Sequence, residues 1–452
     1  MAEGLTKRYF EEILEVTGVG NQGADRLDEI SSMPESEFGN LVKDLWSRVR
    51  GHYEKNTGQV LKWLRKYAEQ PKAFPFGRLA PISSIAGEPA DWFVKKTALY
   101  YGKVVIEDPL EKTLGLRDSY TTEALRMQIV GDLANLAILY PWVETGLVWS
   151  LPSVTRWEPL RGTISKFADD DFKDDEWASS RGALRDEDRR LEGEALIQDY
   201  ERYIRETTPQ RFIDRVGGLG DFALRGMLRG SSLQMASGFF GSALTDSSPT
   251  TDLKRPWRLF GLWSSKRAEL LVQKGKLGQE TWTKMREEAK AGRVWQGLEV
   301  KKLEALMKLS PEQIIKVRDD SGLSLKSFRE ELGEKVEKIE MEKLADEKEM
   351  GQLVSQVSED LNKDARSVEK DLKNIRLKLG VSAALTPLSL SLGLLPFPLA
   401  RLVGQLVGSA SLVETIGYRL DMQRQKERSG YFLVRLGEEA EEQEVRRRRR
   451  DI

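Results

Sequence analysis

The residue types that could do chemistry are few, and the missing ones exclude whole classes of reaction. Among 452 residues there is no cysteine and one histidine, His52. Without thiols there are no disulfides, thiolate metal sites or cysteine nucleophiles. One imidazole leaves no histidine-dependent zinc site and little room for a Ser-His-Asp triad. His52 lies in RVRGHYEKN, a polar stretch that predicts an ordinary solvated side chain.

Carboxylates remain. Glu107 and Asp108 follow a β-branched run, and Asp169, Asp170 and Asp171 sit together in FADDDFKDDEW. Hard cations such as Mg²⁺ and Ca²⁺ take oxygen ligands, so converging aspartates would suit a metal-dependent phosphodiesterase. The acidic segment lacks the alternate ligands and central glycine of an EF-hand loop, and it reads as a solvated linker. Glu-Asp-Pro after a strand reads equally as a turn and helix cap. Val216-Gly-Gly-Leu-Gly220 completes neither phosphate-loop pattern and reads as a turn. No residue is therefore assigned a catalytic, cofactor or metal role. No cofactor is expected, and the chain reads as a non-enzyme.

The elements that would position these residues are mainly helical, with a small strand-helix-strand element in the N-terminal part. Residues 1–70 form a helical region, with apolar positions at helical spacing in Leu41, Leu45, Trp46 and Val49, then in Val60, Leu61, Leu64 and Tyr67. Pro71, Pro75 and Pro81 suggest a linker. Residues 84–300 form a Trp-rich mixed domain with a helix over 90–101, a strand over 103–106, an apolar helix over 122–140 and a strand over 146–151. That order suggests a parallel pair. Ser247–Asp252 reads as a loop. All eleven tryptophans lie at or before Trp295, which marks a boundary near 300.

Residues 310–436 read as long charged helices and an apolar helical hairpin. Ser310-Pro311-Glu312-Gln313 is a helix start with a capping box, and Ser324 marks a second. From there an apolar stripe of coiled-coil type runs through Phe328, Leu332, Val336 and Ile339, then Leu353, Val357, Leu361, Ala365, Val368, Leu372, Ile375 and Leu379. A break near Gly351 would fold it into two antiparallel arms. Leu379–Val413 is the most apolar stretch of the chain. Pro387, Pro396 and Pro398 interrupt it, so it reads as a hairpin turning at 395–398, with Arg401 just past the turn. Gly404, Gly408, Ser409 and Ala410 would allow close helix approach. The hairpin is either packed core or a conditional membrane-inserting device. Tyr431–Leu436 is a short apolar segment. The tail, 437–452, separates acidic residues from Arg446–Arg450 and reads as a disordered or helical solvated tail.

The segments YYGKVVIEDPL, VETGLVWSLPS, SPEQIIKVRDDSGLSLKSFREEL, LGVSAALTPLSLSLG and GYFLVRL resemble a loose group of uncharacterised prokaryotic proteins with a charged C-terminal helix followed by an apolar hairpin. The resemblance implies architecture and prokaryotic origin, and carries no activity.

With 71 basic and 72 acidic residues nearly cancelling, no global field points to nucleic acid. The N-terminus lacks the pattern of a signal peptide, so a cytoplasmic location is expected, with membrane association through residues 379–413 as the variant case. The expected role is a non-enzymatic helical interaction or scaffold protein, with a protein partner or self-association through the 324–378 helices. The alternatives are a membrane-conditional effector and the carboxylate-dependent phosphodiesterase.

Overall fold

The computed structural model describes residues 3–66, 72–75, 94–95, 97–98, 101–153, 205, 209–210, 214, 238, 241–242, 245, 247–250, 272, 278–280, 283, 294, 309–337, 347–383 and 424–450. Two compact units divide the chain: residues 1–297 with 339–350, and residues 298–338 with 351–452.

The first unit opens with four helices: α1 (Glu3–Thr17), α2 (Val19–Gln22), α3 (Ala24–Ser32) and α4 (Glu35–Lys66). Their apolar faces follow the helical period. Tyr9, Phe10 and Ile13 of α1 and Leu45, Val49, Val60, Leu61 and Leu64 of α4 are buried. Gly18, at φ 76°, takes the left-handed turn between α1 and α2, where a side chain would be strained.

Then come β1 (Lys72–Pro75), β2 (Lys103–Glu107), the short helix α5 (Pro109–Gly115), α6 (Thr122–Glu144), β3 (Val148–Leu151) and β4 (Ser248–Thr250). The four strands form one parallel sheet in the order β3-β2-β1-β4. The parallel pairing of the two expected strands is borne out, with Val104 opposite Val148 and Glu107 opposite Leu151. Two expectations are corrected. Residues 72–75 are a strand inside the sheet, where the prolines suggested a linker. Residues 248–250 are a strand where a loop was expected. Both are too short to show alternation, and both carry a proline, which weakens a strand signal. Lys72 is buried at the head of β1, and its Nζ donates to the Leu64 carbonyl 3.2 Å away, in the last turn of α4. A cation there suits the negative end of the helix dipole.

The α1–α4 helices and the strand-helix-strand element share contacts. Arg126 of α6 donates to the carbonyls of Ser31 and Met33 at 3.0 and 2.6 Å, and Lys7 pairs with Glu144 at 3.0 Å. The chain between 66 and 101 thus joins parts that pack together. The acidic segment around Asp169, Asp170 and Asp171, residues 186–204 and the 216–220 glycines lie outside the described residues.

The second unit contains α7 (Pro311–Asp320), α8 (Gly322–Glu337), α10 (Ser429–Arg450) and, from Gly351 on, α9, the helix that spans Glu347–Ala383. The capping box at α7 is present: the Ser310 hydroxyl accepts from the Gln313 amide, and the Gln313 side chain accepts from the Ser310 amide at 2.7 Å. Helix α8 begins at Gly322, ahead of Ser324, whose hydroxyl donates to the Ser321 carbonyl at 3.1 Å. Phe328 and Phe432 meet with ring centroids 5.7 Å apart, joining α8 to α10. On α9, Val354, Val357, Leu361, Ala365, Val368 and Leu372 are buried, three or four residues apart, while Glu359, Lys363 and Glu369 are exposed. Val368 and Leu372 cluster with Tyr431 and Val434. Arg428 secures the same junction, donating to Asp364 at 2.5 Å and Asp371 at 3.1 Å.

Helix α9 runs through Gly351 without a break. A single glycine in a helix costs only about 1 kcal/mol, which the buried stripe exceeds. Of the two alternatives for the tail, the helical one is observed, though it is not solvated throughout. Tyr431–Leu436 and the residues to Arg450 are one helix, and Glu439 and Ala440 within it are buried. Glu439 is held by Lys316 at 3.4 Å. Of the apolar stretch, residues 379–383 end α9; the hairpin turn and Arg401 lie outside the described residues. Among the described residues no helix is long and apolar enough to cross a membrane.

Leu361 is 1% exposed. Leu361→Ala is expected to lower unfolding stability by about 2–5 kcal/mol in urea titration, as buried leucine truncations do. Lys363→Ala, on the exposed face, is expected to shift it by no more than about 0.5 kcal/mol. Equal effects from the two would place the stripe in solvent.

Candidate functional site

The described carboxylates with the richest surroundings are those at the carboxyl ends of β2 and β3, the edge of a parallel sheet where ligands usually bind. Strand β2 delivers Glu107 as its last residue and Asp108 as the first beyond it. Asp108 then caps α5: its Oδ1 accepts from the amides of Leu110 and Glu111 at 2.9 and 3.3 Å, with Pro109 in the first turn. The turn-and-cap reading of Glu-Asp-Pro therefore describes part of what Asp108 does.

The other part comes from the N-terminal helices. Asp108 is completely buried, and its Oδ2 accepts from two tyrosines, Tyr9 of α1 and Tyr53 of α4, the latter at 2.8 Å. Tyr53 has one hydroxyl proton. While that proton goes to Asp108, the Ser150 hydroxyl on β3 must donate to the Tyr53 oxygen, 2.7 Å away. The Ser150 amide donates to the Thr6 hydroxyl at 3.4 Å. Two backbone amides and two phenols thus surround one carboxylate.

Burial pushes the Asp108 carboxyl above the usual carboxylate range, because desolvation penalises the charge; the tyrosine and backbone donors pull the other way. Tyr9 and Tyr53 are driven well above their ordinary value, first by burial and then by the neighbouring Asp108 charge. Neither phenol is poised to become a base or nucleophile at neutral pH.

Around this knot the remaining groups are also engaged. Glu111 accepts from the Ser153 amide at 2.9 Å. Glu107 accepts from the Ser153 hydroxyl at 3.3 Å and pairs with Lys112 at 3.7 Å. His52 is not an ordinary solvated residue. Its ring stacks on Tyr9 with centroids 4.4 Å apart, lies edge-on to Tyr53 and meets the Asn56 amide at 3.2 Å. The sequence placed it among polar neighbours along the chain, but its helical position turns it toward Tyr9. Burial lowers its pKa to about 4.

Among the described residues no three or more His, Asp or Glu side chains are grouped to hold a metal ion. Asp169, Asp170 and Asp171 fall outside the described residues. Sequence reasoning missed Tyr9, Tyr53, Glu111 and Ser150. Tyr9 and Tyr53 sit on apolar helix faces, where a tyrosine reads as core, and no local pattern announces a carboxylate partner 99 and 55 residues away. Comparison of the chain with protein-family models, with curated proteins and with solved structures finds no match.

Two outcomes are expected from this geometry. Tyr53→Phe removes a donor from a buried carboxylate and is expected to cost about 1–3 kcal/mol at neutral pH in urea titration. That cost should shrink at acid pH, where Asp108 is neutral and the lost bond matters less; a constant deficit would show that Tyr53 acts by packing alone. His52, half-buried against Tyr9, has a folded pKa below its unfolded value of about 6.5. The unfolded chain therefore binds the extra proton first, and stability from this group is present above about 6.5 and lost as pH falls toward about 4. The chain has no other histidine, so His52→Gln is expected to flatten the pH dependence of the urea midpoint between pH 6.5 and 5. An unchanged slope would assign it to another group.

Proposed function

We propose that this chain is a non-enzymatic helical interaction protein, with a first unit that serves as a rigid body and a second unit whose charged helices meet a protein partner or a second copy. The observation that carries this reading is the closure of the β2–β3 edge. The carboxylate best placed to act at a sheet terminus, Asp108, is completely buried and bonded to four donors of its own chain. A general base or metal ligand must reach substrate, and a carboxylate in this setting reaches none. Support also comes from α9, whose buried stripe leaves Glu359, Lys363 and Glu369 facing outward, a surface suited to charge-directed recognition. A cytoplasmic location fits the reading.

A second reading, a membrane-conditional effector, draws on the apolar 379–413 run of the sequence. Flotation of the full chain with liposomes would favour it.

The reading is tested with bis(p-nitrophenyl) phosphate as a general phosphodiester and Mg²⁺ or Mn²⁺ as the metal. No turnover above buffer is expected from the full chain. Turnover that disappears in Asp108→Asn, or in a variant with Asp169, Asp170 and Asp171 all changed to Asn, would overturn the interaction reading in favour of the phosphodiesterase.

A further inference from the structure

Opposite its buried stripe, helix α9 carries a line of exposed residues. It runs through Gln356 and Glu359, then Lys363, Arg366, Lys370 and Lys373, at steps of three and four residues. Its second half is therefore all cations. The carboxylates near them are already answered. Glu359 pairs with Lys363 at 2.9 Å, and Asp364 and Asp371 are both held by Arg428, at 2.5 and 3.1 Å. Asp360 and Glu369 are engaged as well. Arg366, Lys370 and Lys373 have no ion-pair or hydrogen-bond partner among the described residues. They line about 10 Å of the helix, at 1.5 Å per residue.

What meets this stripe must be anionic. A second copy does not fit, since it would set the same cations against each other. An acidic protein would supply the charge, but protein interfaces are built around an apolar centre and are poor in lysine. From Gln352 to Lys373 no apolar side chain of α9 is exposed, so the stripe offers no such centre. A layer of lipid headgroups needs none, because it holds basic segments by charge. The place in the chain agrees. The stripe ends at Lys373, just ahead of Leu379, where the most apolar stretch of the sequence begins. We infer that Arg366, Lys370 and Lys373 form a docking surface for anionic lipid headgroups, holding the chain on a membrane surface by charge alone. The contact requires no insertion of residues 379–413. It goes beyond the interaction reading and does not depend on it. Its reach is about 10 Å at 0.1 M salt and about 3 Å at 1 M, so raised salt releases it.

The test is co-flotation of the full chain with vesicles of phosphatidylserine and phosphatidylcholine, and with phosphatidylcholine alone, at about 0.1 M and about 1 M salt. Two variants are compared with the wild type. Arg366→Gln/Lys370→Gln/Lys373→Gln removes the stripe. Lys43→Gln/Lys55→Gln/Lys62→Gln removes the same charge from exposed lysines of α4. Circular dichroism checks that each keeps its helix content. The wild type is expected to float with the serine-containing vesicles, at the lower salt only. With roughly fivefold in partition from each cation, the α9 variant should bind about a hundredfold more weakly, and the α4 variant within about twofold of the wild type. A wild type that does not float overturns the inference, as does an α9 variant that floats equally well. Equal losses in the two variants overturn it too, since net charge alone would then account for binding. Equal flotation with phosphatidylcholine, unmoved by salt, overturns it in favour of insertion through residues 379–413. A wild type that leaves vesicles alone but binds poly-glutamate through the α9 cations overturns it in favour of an acidic protein. None of these outcomes touches the phosphodiester assay, so the two proposals fail separately.

Discussion

The first unit depends on the Asp108 carboxylate. A charge taken fully out of water is tolerated only where donors replace the solvent it has lost. Here the donors come from three places in the chain: the start of α5, the middle of α1 and the middle of α4. None of them could be displaced without leaving a buried charge short of a partner. The carboxylate therefore fixes how both N-terminal helices lie on the sheet, a register that apolar packing alone would leave looser. Its relay through Tyr53 to Ser150 extends the same constraint to β3. The group that first attracts attention as chemistry is, in this fold, an organiser of structure.

How much of this is legible in the sequence varies with the range of the interaction. Local signals serve well. The Ser310 capping box, the proline in the first turn after Asp108 and the stripe on α9 are each written within a few residues, and each is present in the structure. The strands at 103–107 and 148–151 are visible because three apolar residues stand together in each, Val104–Ile106 and Leu147–Trp149. Strands β1 and β4 are not, since three or four residues that include a proline give no period to detect. His52 is misjudged from sequence for a related reason. Its chain neighbours are polar, but burial is set by what lies across the helix interface, and Tyr9 is 43 positions away.

In the second unit the governing contrast is between one apolar face and a helix that is otherwise charged. The buried residues of α9 repeat at three and four, so one side is committed to packing whatever the rest carries. Arg428 adds direction to that packing. Its two ends reach Asp364 and Asp371, two turns apart on α9, which sets where α10 begins along α9. These groups remain partly exposed, so the clasp contributes more to alignment than to stability.

The contact between Thr6 and the Ser150 amide has a consequence for solubility. Among the described strands β3 is an outer one, and such a strand offers amides on which a further strand from another molecule can template. By answering one of those amides with a side-chain hydroxyl, α1 lies where an intruding strand would have to lie. A product trimmed by proteolysis ahead of residue 18 would bare that border. It would be drawn toward edge-to-edge aggregation, so the first helix acts as a guard against assembly of the wrong kind.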